Sequence, residues 1–170
     1  MISDFSQWIT YLITLIFTFF GVYAGVFLAF ISPEELKAGK RYFKGMMHTV
    51  TAVAFTVLTY FYTNSMMIAV LLGLVILVTL YFLPHEGIID QIVYYMLGVM
   101  FFFSAKYPEL FMSTSALIFL YGLPLGSNYV EENPKQSKTT QMSNVFLKYG
   151  AFVVIGLLTN LVYLYMVRII

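Results

Sequence analysis

Among the side chains of this 170-residue chain that can move protons or hold a hard cation, four stand out as candidates: His48, His85, Glu86 and Asp90. If the chain is helical from Glu86 onward, Glu86 and Asp90 stand four residues apart on one face, where two carboxylates can share a proton or one divalent cation. Asp90 is the strongest single candidate. An ionisable group at mid-membrane costs about 2.5–3.5 kcal/mol on insertion scales, less near the interface, so it normally faces a partner or a water-filled cavity. The two histidines show neither His-x3-His nor Glu-x2-His spacing, and no metal is assigned to them. A plainer account covers all four residues. Histidines and carboxylates at helix ends mark the water boundary, and carboxylates in a first turn meet the positive end of the helix dipole.

A second group is basic. Lys37, Lys40, Arg41 and Lys44 alternate with aromatic residues, the form expected where side chains grip lipid phosphates at about 1 kcal/mol per charge. The same four charges also serve as a plain topogenic signal. Gly39 within this stretch would let the backbone turn or approach a ligand. A third group is small or helix-breaking. Gly21-x3-Gly25 and Gly122-x3-Gly126 carry the spacing that lets helices approach closely in a bilayer. Pro124 falls inside the second motif and removes a backbone donor, which predicts a kink. With Ser113, Thr114 and Ser115 on the same segment, it marks a possible solute lining of the kind seen in broken transporter helices.

The elements that position these groups follow from composition. Hydrophobic residues make up 61% of the chain and charged residues 10%, with a mean hydropathy of +0.86, whereas soluble domains carry about 25% charged residues. A soluble globular domain is excluded. Nine Lys and Arg against eight Asp and Glu leave no basic surface for nucleic acid. The absence of cysteine removes disulfides, thiolate nucleophiles and Cys-ligated metals. The fold class is therefore all-α: a single transmembrane domain over 1–170, polytopic, with six transmembrane helices.

Runs of about 20 apolar residues cross the bilayer core, and six are read at 8–31, 45–63, 66–84, 88–105, 110–127 and 145–168. The first is stopped by Ser32-Pro33-Glu34-Glu35 and is read as retained rather than cleaved as a signal peptide. Thr63-Asn64-Ser65 divides the second run from the third. Residues 128–144, rich in Asn, Gln, Ser, Thr and Lys, read as an exposed loop. Lys37, Lys40, Arg41, Lys44, Lys135, Lys138 and Lys148 fall on one side of this arrangement, and Lys106 and Arg168 on the other. Positive charge stays in the cytoplasm, so both termini are expected on the non-cytoplasmic side of the cell membrane.

No phosphate-binding glycine loop, Gly-x-Ser-x-Gly elbow, His-Glu-x2-His or dinucleotide fingerprint is present, and no cofactor is expected. The leading expectation is a small-solute transporter or channel, or a subunit of a larger membrane complex, in which Asp90 titrates or binds a cation, His85 tunes it and Pro124 opens the packing. The alternative is an enzyme acting on a lipid head group at the cytoplasmic face. There the basic cluster would clamp phosphate, Glu86 and Asp90 would hold Mg2+, and His48 or His85 would move a proton. The expected partners are the lipid bilayer, other membrane subunits or a second copy, and no nucleic acid.

Overall fold

Ser32 is the hinge between the first two helices, and the residues after it start a helix as effectively as they stop one. Proline is pre-set for the first helical position and carboxylates favour the first turn, so the chain leaves α1 (Phe5–Ile31) and re-enters helix at once as α2 (Pro33–Thr63). A computed structural model describes the backbone of residues 5–82 and 87–169, and the side chains of 6–82 and 87–161. His85 and Glu86 lie outside the described residues. The described chain is all α-helical: α3 (Met66–Phe82), α4 (Gly87–Ser104), α5 (Pro108–Glu132), α6 (Lys138–Tyr149) and α7 (Ala151–Ile169) follow. Short connections alternate the direction of successive helices from α1 to α6, and α7 continues in the direction of α6. The helix ends near residues 32, 87 and 135 therefore share one end of the molecule, and those near 64 and 106 the other.

Two stretches differ from the sequence reading, for one reason. The second helix begins at Pro33 rather than 45, so the basic stretch is helical and Gly39 lies within the helix, where the Phe43 ring covers it. Likewise 128–144 is not a loop. Its first five residues complete α5, Asn133–Ser137 make the turn, and α6 starts at Lys138 with the Ser137 hydroxyl accepting the Thr140 N–H at 3.2 Å. Polar residues here mark the exit from the apolar layer, not the end of the helix. The stretch read from sequence as the sixth span is correspondingly α6 joined to α7 at Gly150. Its joint is held by α4: the Lys148 carbonyl accepts from Tyr95 Oη at 2.6 Å and Gln91 Nε2 at 3.0 Å. The turn at 63–66 is where the sequence placed it, with Asn64 capping α2 in the left-handed region at φ 50°.

Four helical stretches, Ser6–Ile31, Gly87–Ser104, Pro108–Glu132 and Lys138–Leu161, are long and apolar enough to cross a membrane. The apolar helix Met66–Phe82 is shorter, and the charges of α2 occupy its first turns. Large apolar side chains line the outside of the bundle, among them Phe17, Phe27, Met67 and Val75, each more than 60% exposed. Such a surface is stable in lipid and not in water. This is the architecture of a multi-span membrane protein.

The centre is built on α5, which packs chiefly on α1 and α2 and also on α4. On α1 the buried stripe is Tyr11, Leu15, Thr18, Val22, Gly25 and Ala29, spaced alternately four and three residues apart. The stripe is smaller than the lipid-facing side, not more apolar, because lipid tails compete for apolar contact and only close approach of backbones distinguishes the inside. The two Gly-x3-Gly motifs meet each other. A Cβ on Gly122 would stand 2.7 Å from Val22 N, one on Gly126 would stand 2.9 Å from Val26 N, and one on Gly25 would stand 2.8 Å from the Leu123 carbonyl carbon. Ser127 Oγ fastens the crossing by donating to Gly25 O at 3.0 Å. Aromatic rings fill the rest: Phe101 against Phe111 at 4.9 Å, Tyr11 against Phe101 at 5.1 Å, and Phe152 against Tyr94 at 4.6 Å between centroids.

Candidate functional site

Because α2 is helical from Pro33, the basic residues fall into register. Lys37, Arg41, Lys44 and His48 are separated by four, three and four residues, and Lys40 sits three beyond Lys37 and four before Lys44; all five lie on one stripe. That stripe walls a groove of about 700 Å³ lined by Lys37, Lys40, Arg41, Lys44, Gly45, His48 and Tyr81. Tyr81 comes from the last turn of α3, which lies antiparallel to α2 after the turn at 64–65. Its ring is exposed, whereas His48 is buried at the inner end. Gly45 leaves the middle of the groove open: a Cβ there would meet nothing within 4 Å.

One carboxylate is committed to this cluster. Lys40 Nζ donates to Glu131 Oε2 at 2.6 Å, tying the groove to the end of α5. Both partners retain solvent exposure, so the pair contributes at most about 1 kcal/mol and serves mainly to orient Lys40. Behind it, a second cavity of about 490 Å³ between the ends of α1, α2 and α5 and the start of α6 is lined by Lys37, Glu131, Gln136, Lys138 and Gln141 among others. Lys37 borders both spaces.

Of the two acidic candidates, only Asp90 lies among the described residues. Asp90 is in the first turn of α4, half-buried, and its carbonyl accepts from Tyr121 Oη at 3.2 Å. Among the described residues no three His, Asp or Glu side chains gather as a metal site. Asp90 is carried by α4 and His48 by α2, and both helices pack on α5.

The candidates for a solute lining are also dispersed. Ser113 is exposed and donates to Glu109 O at 2.9 Å, while Ser115 is buried and donates to Phe111 O at 2.6 Å, so both hydroxyls return to their own helix. Pro124 lies in α5 without ending it. Every residue from Pro124 to Val130 is buried, which puts the proline in the most tightly packed part of the helix rather than at an opening. In the same half of the molecule, the Tyr94 hydroxyl and the Asn128 side-chain amide are buried without hydrogen-bond partners among the described residues.

Sequence reasoning found the four cations but not their convergence with His48 and Tyr81. The signal was present: Ser-Pro-Glu-Glu is a helix start, and continuing a helix from it places 37, 41, 44 and 48 on one face. Nothing in the sequence pattern singled out Tyr81. Compared with known protein families, curated proteins and solved structures, the chain gives no match.

Proposed function

We propose that this chain is a six-crossing protein of the cell membrane, with both termini outside, whose cytoplasmic end recognises the phosphate of an anionic lipid head group. The single observation that carries the reading is the groove along α2, in which four cationic side chains and His48 face one space. The arrangement suits phosphate for two reasons. Arg presents a planar fork of donors and Lys a mobile point charge, and juxtamembrane cations gain from the negative inner leaflet. The orientation rests on the same residues: the end that holds the groove also carries Lys135, Lys138 and Lys148. The six-crossing count adds α2 beyond its charged turns, and α3, to the four long apolar stretches.

A path for a small solute through the bundle centre has less to support it. The α1–α5 seam is closed by backbone contact, and packed aromatic rings occupy the space between α1, α4, α5 and α7. A partner-binding role for the Gly-x3-Gly faces is similarly weakened, because each covers the other. The lipid-enzyme reading keeps its binding half in the groove, but Asp90 is not among the residues that line it.

Two measurements test the proposal. The chain has no cysteine, so single cysteines report sidedness cleanly. In intact cells Thr63→Cys should react with a membrane-impermeant maleimide and Ser137→Cys should not; the reverse pattern overturns the orientation. In non-ionic detergent, native mass spectrometry should show short-chain phosphatidylglycerol retained over phosphatidylcholine. Equal retention of both lipids would remove the head-group reading.

A further inference from the structure

We infer that the groove selects a dianionic phosphomonoester lipid, of the phosphatidate type, over monoanionic phosphodiester lipids; this rests on the anionic head-group reading above. The argument is one of charge and length. Lys37, Lys40, Arg41 and Lys44 bring four positive charges to the groove, and Glu131, paired with Lys40, offsets one of them. A phosphodiester head group such as phosphatidylglycerol carries one negative charge and leaves two cations facing one another. A phosphate monoester carries about 1.5 to 2 negative charges at neutral pH and offers three oxygens for charge-assisted hydrogen bonds. Arg41, between Lys37 and Lys44 on the stripe, is placed to take two of those oxygens in its fork.

Length separates a lipid from free phosphate. The lining runs from Lys37 to His48, eleven steps along the helix, or roughly 16 Å at about 1.5 Å per step. A lone phosphate spans little more than one turn of that distance. The cations occupy the outer part, while Gly45, the buried His48 and the tyrosine ring of α3 bound the inner part. The adjoining surface of α3 is apolar, with Val78 and Phe82 exposed. An inorganic ion gains nothing from this wall, whereas the glycerol and first acyl carbons of a lipid have it to lie against.

The experiment uses the full chain in non-ionic detergent at pH 8, where the monoester is fully ionised. Dioctanoyl phosphatidate, phosphatidylglycerol and phosphatidylcholine are each titrated and read by native mass spectrometry, with millimolar inorganic phosphate as competitor. One additional charge near surface cations is worth about five-fold in affinity. Phosphatidate should therefore bind about five-fold or more tighter than phosphatidylglycerol, and free phosphate should not displace it. Arg41→Lys, which keeps the charge and loses the fork, should reduce the preference, and Arg41→Gln with Lys44→Gln should abolish it. Equal, charge-dependent binding of both anionic lipids would overturn this inference and leave the head-group reading standing. Binding indifferent to lipid charge would overturn both. Displacement by inorganic phosphate would overturn the lipid assignment in favour of a soluble phosphate. Because the main comparison uses the unaltered chain, a variant that fails to fold does not remove the test.

Discussion

The seam between α1 and α5 and the edge formed by α2 and α3 both rely on glycine, but they meet different atoms. At the seam, Cβ atoms added to Gly21, Gly25, Gly122 or Gly126 would run into the opposing backbone. At the edge, one added to Gly73 would run into the side-chain oxygen of Thr56. Backbone cannot move aside without shifting a helix, whereas a side chain can rotate. The seam is therefore the fixed axis of the molecule and the edge is its adjustable margin. The groove opens on that margin, where α3 has α2 as its main neighbour and exposes most of its length.

The sharpest way to break the comparison is Gly126→Leu. Overpacking a close contact costs about 1–3 kcal/mol and occasionally more, and here the obstacle is Val22 backbone, so a loss of about 3 kcal/mol or more is expected. Thermal denaturation in detergent, or failure to accumulate in membranes, reports it; wild-type stability would show that the seam is not the axis. A comparable effect in binding, without any in folding, is expected at the margin. Replacing Lys37, Arg41 and Lys44 together with Gln should weaken anionic-lipid retention by about 3 kcal/mol, at about 1 kcal/mol per charge, while the melting temperature stays put. Parallel loss of stability and retention would mean that the groove residues are structural.

Much of this contrast was hidden in the sequence for a physical reason. The end of α1 and the turn at 63–66 were legible, because proline, carboxylates and a polar tripeptide interrupt an apolar run on the scale of a membrane crossing. The helicity of 33–44 and 138–144 was not, since hydropathy reports where the chain leaves lipid, and a helix that continues into water looks like a loop on that measure. The cations Lys37, Lys40, Arg41 and Lys44 were recognisable as phosphate contacts from type and density alone. Their shared face with His48, and the approach of Tyr81 from α3, required the helix. The inward side of α1 was marked by Gly21 and Gly25 and not by hydropathy, because both sides are apolar and differ chiefly in bulk.

Two smaller effects sharpen the picture of the margin. Gly73→Ala should destabilise by about 1 kcal/mol, since the gain of alanine in a helix offsets part of the clash with Thr56, and Thr56→Ala in the same chain should restore stability. A double-mutant cycle without coupling would place the edge contact elsewhere. Glu131→Gln should change stability least, by under about 1 kcal/mol, because its bond to Lys40 is open to solvent. Its expected signature is tighter retention of anionic lipid as Lys40 is released; unchanged or weaker retention would detach that ion pair from the groove.

The bond from Ser127 to Gly25 joins residues 102 positions apart. Ribosomes add about 5–20 residues per second, so roughly 5 to 20 seconds of translation separate the emergence of the two strips of glycine. During that interval the first helix waits in the bilayer without its mate, its narrow side open to any helix that drifts past. Biogenesis of this molecule should accordingly be most vulnerable before its fifth helix arrives, and a chaperoning insertase would act by shielding that waiting surface.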